Sequence, residues 1–418
     1  MTAAWRFAAA LLLALLFSGM AMRNAGVICI AIPFLAVVLV PALRALPRAS
    51  AAACSSVSRG SSEEGKRVKF RVTVSNRGPT VDHALLRVVP PEKANLVGQA
   101  NLVTFLEAGA ERIFELELAG PRGRHIVSTV MMETQDALGL QSRVERLQLD
   151  LEVCFLPRTE IIRTLDIFPR RPGPGSGTVR SKLSGSGSEF FGTREYSSGD
   201  PLRRLNWRAA ERWNRLVTNL YEEERTADVG IILDARQASD VVAHGASLFE
   251  SSVRMAASVA EYFLARGNRV GLLSYGRALE WVFPGYGQVQ RRRILSLLSA
   301  AMPGDHVVFR EFEALPTRLF PPKSQLVVVS PLLPGDVPTL RYLRALGFEL
   351  LVISPDPLSL EAGAAPINEE GDLAWRVLKA RREATLTMLR RAGARVVDWD
   401  VVVPPAPALS RLGRGGSA

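Results

Sequence analysis

Residues 229–233 read VGIIL, an uninterrupted apolar run with an aspartate on either side. Two further runs of this kind follow, LVVV at 326–329 and LLVI at 350–353. Such short apolar runs are typical of strands buried on both faces, and here they alternate with stretches of helical periodicity. This alternation predicts a doubly wound, mostly parallel α/β sheet over roughly residues 226–400.

The other elements of this region follow from the same patterns. Further strands are predicted at Val270–Ser274 and at Val396-Val397. Helices are predicted over Leu248–Leu264, Arg291–Ala300, Thr339–Leu346 and Leu373–Arg391. In the last helix, the apolar residues at helical spacing are Leu373, Val377, Ala380, Ala384 and Met388.

Residues 66–165 show the alternation of a sheet with one buried face. Val68, Phe70 and Val72, for example, alternate with Lys69 and Arg71. Turn-forming stretches separate such segments: Asn76–Pro79, Pro90-Pro91 and Gly120–Gly123. About seven short strands of this kind predict an all-β immunoglobulin-like sandwich.

Composition and length narrow the class of protein. A chain of 418 residues predicts more than one domain. Lys and Arg number 52 against 41 Asp and Glu, so the formal net charge is +11, which favours anionic partners. The three cysteines include no CxxC pair and the four histidines are scattered. A disulfide framework is therefore excluded, and a Cys/His metal site is not expected.

Residues 1–48 predict two transmembrane helices. Phe7–Met22 and Ala25–Leu43 are uncharged and mostly apolar, and Arg23-Asn24 between them would form the tip of a helical hairpin. The second run just spans a bilayer core of about 30 Å at about 1.5 Å per residue. A cleaved signal peptide over residues 1–22 is the alternative, but a second apolar stretch follows at once and no clear A-x-A cleavage site lies between the two.

The basic residues that flank these helices predict the orientation. Arg23 is the one basic residue at the tip, whereas five follow the second helix: Arg44, Arg48, Arg59, Lys66 and Arg67. Because basic flanks stay in the cytoplasm, this bias predicts a two-pass protein of the cell (inner) membrane with the bulk of the chain in the cytoplasm.

Three stretches are predicted as connecting segments: 49–65, the Gly/Pro/Ser-rich 166–190 and a tail at 401–418. The glycines of the second stretch do not predict a phosphate-binding loop. No Gly-Lys-Ser/Thr sequence is present, and no predicted strand immediately precedes the stretch.

Residues 191–225, here called the signature segment, combine arginines, tryptophans and acidic residues. Asp200-Pro201 predicts a helix start, because Asp can cap the free amides and Pro suits the first turn. That helix would place Leu202, Leu205, Ala209 and Trp213 on one stripe.

The signature segment resembles the bacterial and archaeal "domain of unknown function 58" family. The matching positions are Arg194, Tyr196, Gly199, Asp200, Arg203, Leu205, Trp207, Ala210, Arg212, Leu216, Thr218, Glu222 and Glu224. Glu211 and Thr218 depart from the usual pattern without removing a charged or aromatic member. The stretches Arg122–His125 and Asp136–Leu140 also look like the upstream β-region of this family.

Several expectations follow from this resemblance. It implies a von Willebrand factor A-like fold for residues 226–400, an N-terminal pair of membrane helices and a MoxR-type AAA+ ATPase as partner. It implies no enzymatic activity, because none is established for the family.

A von Willebrand factor A-like fold can hold a divalent metal through an Asp-x-Ser-x-Ser sequence. Here the corresponding residues are Asp234, Arg236 and Ala238, so both serines are missing and a fixed positive charge stands where a cation would bind. Ser330 follows the strand after which an aspartate is expected. We therefore expect no metal and no other cofactor, and we expect Asp234 to pair with Arg236 or to cap the following loop.

Three accounts of the signature segment remain open. In a structural account, Arg194, Arg203, Arg204 and Arg212 pair with Asp200 and Glu222–Glu224, while Trp207 and Trp213 fill the core. In a docking account, Arg204 and Trp207 belong to a protein-binding surface with the other matching residues, because Arg and Trp are enriched at binding hot spots. A nucleic-acid account is the least favoured, since acidic residues interrupt the basic ones.

No sequence motif predicts catalysis, and no G-x-S-x-G nucleophile sequence occurs in the Gly-rich stretch. Together with the resemblance to the family, this implies a membrane-anchored adaptor, without catalysis of its own, that works with a MoxR-type AAA+ ATPase in the assembly or maturation of a client. The alternatives are a metal-dependent adhesion-type binding module and an unrecognised cell-envelope enzyme.

Overall fold

The computed structural model describes residues 2–43, 51–57, 60–98, 101–136, 139–163, 165, 173–226, 228–306, 312, 315–361 and 369–410. The chain divides into two compact units, Met1–Leu156 and Pro157–Ala418. The flanking arginines Arg44, Arg48 and Arg59 and the last eight residues of the predicted tail lie outside the described residues.

The first unit begins with two helices, α1 (Ala3–Ala21) and α2 (Ala25–Leu43). They pack closely, since a Cβ added at Gly19 would lie 2.7 Å from Cγ1 of Ile28. Among the described residues, α1 is the one helix long and apolar enough to cross a membrane, and the apolar stretch Ala25–Leu39 of α2 is shorter. Length and composition thus support a membrane anchor at α1, although a signal sequence has the same properties.

The described residues of the first unit also form nine strands: β1 (Ala51–Val57), β2 (Ser61–Glu63), β3 (Val68–Asn76), β4 (Val81–Val88), β5 (Asn95–Val97), β6 (Asn101–Leu106), β7 (Glu111–Ala119), β8 (Gly123–Gln135) and β9 (Ser142–Leu156). They form a four-stranded sheet in the order β1-β3-β7-β5 and a five-stranded sheet in the order β2-β9-β8-β4-β6. All pairings are antiparallel except that of β2 with β9.

Both sheets of the first unit contribute to one apolar core, as their alternating sequences require. Phe70 and Val72 of β3 and Leu151 of β9 are buried in it. The intervening residues face solvent, where Arg71 donates to Glu115 of β7 across the strand pair at 2.5 Å. The predicted linker 49–65 is wrong in part, because β1 and β2 lie within it and extend the two sheets.

The second unit contains ten strands and seven helices within its described residues. In chain order they are β10 (Gly173–Glu195), α3 (Trp207–Trp213), β11 (Val217–Thr226), β12 (Asp228–Ala235), β13 (Val242–Ala243), β14 (Ala246–Ser247), α4 (Leu248–Ala265), β15 (Arg269–Gly276), β16 (Leu279–Gly285), α5 (Gly287–Ala300), β17 (Gln325–Val329), α6 (Asp336–Ala345), β18 (Glu349–Pro355), α7 (Pro357–Glu361), α8 (Glu369–Arg391), β19 (Arg395–Trp399) and α9 (Pro405–Ser410).

A six-stranded sheet organises this unit, in the order β16-β15-β12-β17-β18-β19. Every neighbouring pair is parallel except β15 with β16. Helices α6 and α8 cover one face, where Leu340 and Leu386 pack with Val328 and Val352. Helix α4 contacts β12, β15 and β17. The predicted parallel strands are thus present, whereas the antiparallel edge strand β16 was missed.

Two predictions about local structure in the second unit are wrong. The Gly/Pro/Ser-rich stretch predicted as a linker supplies, from Gly173 onwards, the strand β10, which pairs with β11. The helix predicted after Asp200-Pro201 begins only at Trp207, because Leu202–Arg204 form a single 3-10 turn and Leu205 bridges to Thr218. The reason is that Asn206, rather than Asp200, caps the helix, with its Oδ1 accepting from the Ala209 amide at 3.0 Å.

Candidate functional site

The signature segment folds around an ion pair at the end of the β10–β11 ladder. Arg194 donates to Oδ1 of Asp200 at 2.6 Å, and the Ser197 amide donates to Oδ2 at 3.0 Å. These contacts lower the pKa of Asp200, with the Ser197 hydrogen bond as the largest favourable cause and Arg194 adding to it. Gly199 lies in this turn with φ = +109°, a backbone conformation that residues other than glycine rarely adopt. The predicted pairing of Arg194 with Asp200 is therefore confirmed.

Helix α3 follows this turn, and it exposes its two tryptophans together with charged residues. Trp207 is 68% exposed and Trp213 is 50% exposed, so the prediction that they fill the core is wrong. Leu202 and Leu216, on either side of the helix in the chain, are exposed as well. The helix is tied down by its polar cap instead, since Asn206 donates to Asn219 of β11 at 2.9 Å.

The other predicted members of the signature segment lie around this helix. Arg203 and Arg212 are exposed, and Tyr196 and Arg204 are half-buried. Arg215 pairs with Glu195 at 2.6 Å and lies beside the Trp213 ring, with Cζ 5.8 Å from its centroid. The predicted pairing of arginines with Glu222–Glu224 concerns side chains outside the described ones.

A second group of polar residues lies at the carboxyl ends of the central strands β12 and β17. We call it the Arg236 cluster: Asp234, Arg236, Ser239, Ser330 and Asp336. From β12 the chain continues to β15 on one side of the sheet, and from β17 it continues to β18 on the other side. Doubly wound folds bind ligands at such a switch point.

The Arg236 side chain forms two forked contacts. Its Nε and Nη2 donate to the two carboxylate oxygens of Asp234 at 2.8 and 2.7 Å. Its Nη1 and Nη2 donate to those of Asp336 at 2.8 and 2.7 Å. The guanidinium also lies over the Phe312 ring, with Cζ 4.1 Å from its centroid. The predicted pairing of Asp234 with Arg236 is thus present, and Asp336 is added to it.

Burial governs the electrostatics of this cluster. Arg236 is 3% exposed and Asp336 is 0% exposed. Burial alone would lower the pKa of Arg236, but the hydrogen bonds with Asp234 and Asp336 outweigh it and raise this pKa. Burial raises the pKa of Asp336, against the opposing effect of Arg236. Such a cluster is costly to open, because a remaining carboxylate would be buried without its counter-charge.

The Arg236 cluster does not fit a bound metal ion. The guanidinium hydrogen-bonds all four carboxylate oxygens that could ligate one, and it brings a fixed positive charge to the same place. Within the described ranges, no group of three or more His, Cys, Asp or Glu residues is arranged to hold a metal. Ala238 lies at the rim of a neighbouring cleft of about 290 Å³.

Sequence reasoning missed three contributors: Asn206, Ser239 and Asp336. The Asn206 cap has a sequence signal, since Asn precedes an apolar residue at the helix start. Asp336 has none, because it lies 100 residues from Arg236 and only the parallel arrangement of β12 and β17 brings the two together.

Sequence comparison relates part of the chain to known proteins. Residues 192–359 match the family described as "Protein of unknown function DUF58". The uncharacterized protein YeaD of Bacillus subtilis (strain 168) is 27% identical over 164 residues. That match covers 39% of this chain and 39% of the length of YeaD.

Solved structures resemble the chain only weakly. The CARDB domain of the PF1109 protein from Pyrococcus furiosus is 9% identical, with a TM-score of 0.16, over 25% of this chain and 97% of that domain. BslA, a bacterial hydrophobin, is 12% identical, with a TM-score of 0.17. The FixG-related protein from Vibrio parahaemolyticus is also 12% identical, with a TM-score of 0.16. The FixG-related match covers 24% of this chain and 94% of that one. Scores this low assign no fold. The two sequence matches support the DUF58 family, and the family match at residues 192–359 covers most of the signature segment and five of the six strands of the six-stranded sheet.

Proposed function

We propose that the chain is a membrane-anchored adaptor that binds a MoxR-type AAA+ ATPase through α3 and acts, without catalysis of its own, in the assembly or maturation of a client protein. The observation that carries this proposal is the exposure of Trp207, which is 68% on a helix that buries none of its residues. The nature of the partner rests on the resemblance to the DUF58 family.

Physical reasoning favours a protein partner for this surface. An exposed indole forgoes the free energy of burial, about 25 cal/mol per Å² of apolar area, which binding to a partner would recover. Ala210 lies between Trp207 and Trp213 on the helical wheel, where the two tryptophans are about 120° apart around the helix axis. Tryptophan and arginine are the residues most enriched at binding hot spots, and Arg208 and Arg212 are exposed on the same helix.

The test measures binding of the detergent-solubilised full chain to the MoxR-type AAA+ ATPase of the same organism. We expect Trp207→Ala and Trp213→Ala to weaken binding by roughly tenfold or more each. Their melting temperatures should stay close to that of the wild type, because neither ring is in a core.

Trp281→Ala is the matched control, since Trp281 is also exposed but lies on the edge strand β16, away from the signature segment in the sequence. It should bind as the wild type does. The proposal fails if the wild type does not bind the ATPase, or if a Trp207→Ala/Trp213→Ala chain binds with unchanged affinity.

We further propose that α1 and α2 both cross the membrane, with the bulk of the chain in the cytoplasm. In support, Trp5 Nε1 donates to the carbonyl of Val38 at 3.2 Å, so the start of α1 lies beside the end of α2. The Thr2 amide donates to the carbonyl oxygen of Leu140, in the same unit, at 3.0 Å. Reporter fusions after residue 23 and after residue 418 test this arrangement. The first should report the side of the membrane opposite the cytoplasm, and the second should report the cytoplasm.

Two finer fold assignments belong to the same proposal. The shared core of the two sheets in the first unit supports an immunoglobulin-like sandwich built from β1 to β9, between residues 51 and 156. The doubly wound sheet of the second unit supports a von Willebrand factor A-like fold for residues 226–400. An experimental structure of the full chain with other strand connections would overturn either assignment.

A further inference from the structure

We infer that Arg236 is the built-in cation of a site whose donors would otherwise suit a divalent metal ion, so that this end of the sheet keeps its shape without metal. This inference is independent of the proposed adaptor function. It concerns the Arg236 cluster, which the binding surface on α3 does not use.

The oxygen atoms around Arg236 are those of a hard-cation site. Asp234 and Asp336 supply four carboxylate oxygens, all within 2.8 Å of guanidinium nitrogens. The hydroxyls of Ser239 and Ser330 converge on the same Oδ2 of Asp234, at 2.7 and 2.6 Å. Carboxylate and hydroxyl oxygens that converge in this way are typical ligands of Mg²⁺ and Mn²⁺.

The charges of the cluster show why a cation is required there. Asp234 and Asp336 are 3% and 0% exposed, and two buried carboxylates without a counter-charge would be strongly unfavourable. A guanidinium meets this requirement well, because its planar fork matches two carboxylates at once and its flat face packs on Phe312.

The built-in cation joins three separate segments of the chain. Asp234 is the penultimate residue of β12, Ser330 follows β17, and Asp336 begins α6. The loop before α6 is bound to the same atoms, since Leu332 N–H donates to Ser330 Oγ at 3.0 Å and Leu333 N–H to Asp336 Oδ2 at 2.8 Å. Leu332 has φ = +68°, a strained conformation that these two bonds maintain.

A guanidinium carried by the chain is always present, so the joined loops do not depend on metal supply. Removing it should expose the donor set to solution cations. The critical comparison is therefore between the wild type and Arg236→Ala, as full chains in mild detergent, with Mn²⁺ as the probe and electron paramagnetic resonance of free Mn²⁺ as the measurement.

We expect the wild type to show no saturable Mn²⁺ binding attributable to this cluster. Arg236→Ala should bind about one Mn²⁺ ion per chain with a Kd below about 1 mM and should melt at a higher temperature when Mn²⁺ is added. The double variant Arg236→Ala/Asp336→Asn is the control, and it should lose both effects because half of the carboxylate oxygens are gone. Arg236→Lys keeps the positive charge and should not bind Mn²⁺.

Two results would overturn the inference. One is Mn²⁺ binding by the wild type that Asp336→Asn abolishes, since the site would then hold a metal in spite of Arg236. The other is a folded Arg236→Ala chain that gains no Mn²⁺ site. If Arg236→Ala does not fold by itself, its refolding yield is measured with and without Mn²⁺: a higher yield with Mn²⁺ supports the inference, and an unchanged yield refutes it.

Discussion

At the scale of single residues, burial separates arginine–aspartate pairs of very different importance. Asp336 is 0% exposed and pairs with the buried Arg236, whereas the Asp398 side chain, which pairs with Arg382 at 2.6 Å, is 38% exposed. We expect Asp336→Ala to lower the free energy of unfolding by about 3–5 kcal/mol, because two guanidinium nitrogens of Arg236 and the Leu333 amide lose their buried acceptor. Asp398→Ala, the matched control, should cost less than about 1 kcal/mol. Urea unfolding of both variants measures the difference, and equal losses would contradict the structure.

Asp200 offers a residue-scale prediction about pH. Its pKa lies below the ordinary value, through the Ser197 amide first and then through Arg194. A depressed acid pKa stabilises the fold above the unfolded pKa of about 3.9, and this stabilisation is lost as the pH falls through the folded pKa. We therefore expect the Asp200 carboxylate to titrate below the ordinary range in a ¹³C NMR titration.

Two variants test the cause of that shift. Arg194→Ala should raise the Asp200 midpoint, because an ion pair and a hydrogen bond to the charged form are removed. Ser197→Ala should leave it unchanged, because the donor is the backbone amide, which alanine keeps. A shift with Ser197→Ala and none with Arg194→Ala would contradict this assignment.

At the scale of elements, α8 shows how a repeating pattern can select the wrong face. The residues at helical spacing that the sequence suggests include Leu373, Val377 and Met388, and all three are exposed. The helix buries Leu386 and Leu389 instead. It also turns Arg382 inward, where that side chain pairs with Asp356 and Asp398. The periodicity of apolar residues predicts that arginine faces solvent. It therefore does not identify the face of α8 on which Arg382 forms these ion pairs.

This difference predicts the outcome of two truncations in α8. Leu386→Ala should lower the free energy of unfolding by about 2–5 kcal/mol, since it leaves a cavity against the sheet. Met388→Ala should change it by less than about 0.5 kcal/mol, because the methionine is 50% exposed. A greater loss for Met388→Ala would show that the other face of α8 packs on the sheet.

At the scale of the whole molecule, the second unit begins earlier than its composition suggests. The sequence places the end of the β-domain at residue 165, but the second unit begins at Pro157, and the described residues that follow are bound to α4. The Glu160 amide donates to Ser258 Oγ and the Leu165 amide to the Tyr262 hydroxyl, both at 2.9 Å. Ile162 and Leu165 are also buried.

The position of this boundary can be measured with two fragments. One that begins at residue 157 should melt at a higher temperature than one that begins at residue 166, because the shorter fragment lacks these hydrogen bonds, each of about 1 kcal/mol, and the buried Ile162 and Leu165. Equal melting temperatures would show that residues 157–165 contribute nothing to the second unit.

The sequence by itself determined the elements whose pattern is local. Uninterrupted apolar runs located β12, β17 and β18, because a strand covered on both faces needs no polar positions. Alternation located β3, and the two N-terminal apolar runs located α1 and α2. The signature segment also carried enough local information to pair Arg194 with Asp200, since the two lie six residues apart.

Only the tertiary structure decided which side chains are buried and which distant residues meet. Trp207 reads as core in the sequence because it is large and apolar, yet α3 is held by Asn206 and leaves the indole in solvent. The sequence predicts that Arg236 pairs with Asp234, but it does not predict that the pair is buried or that Asp336 joins it. Burial depends on what packs against a residue, and the partners here come from strands and helices up to 100 residues away.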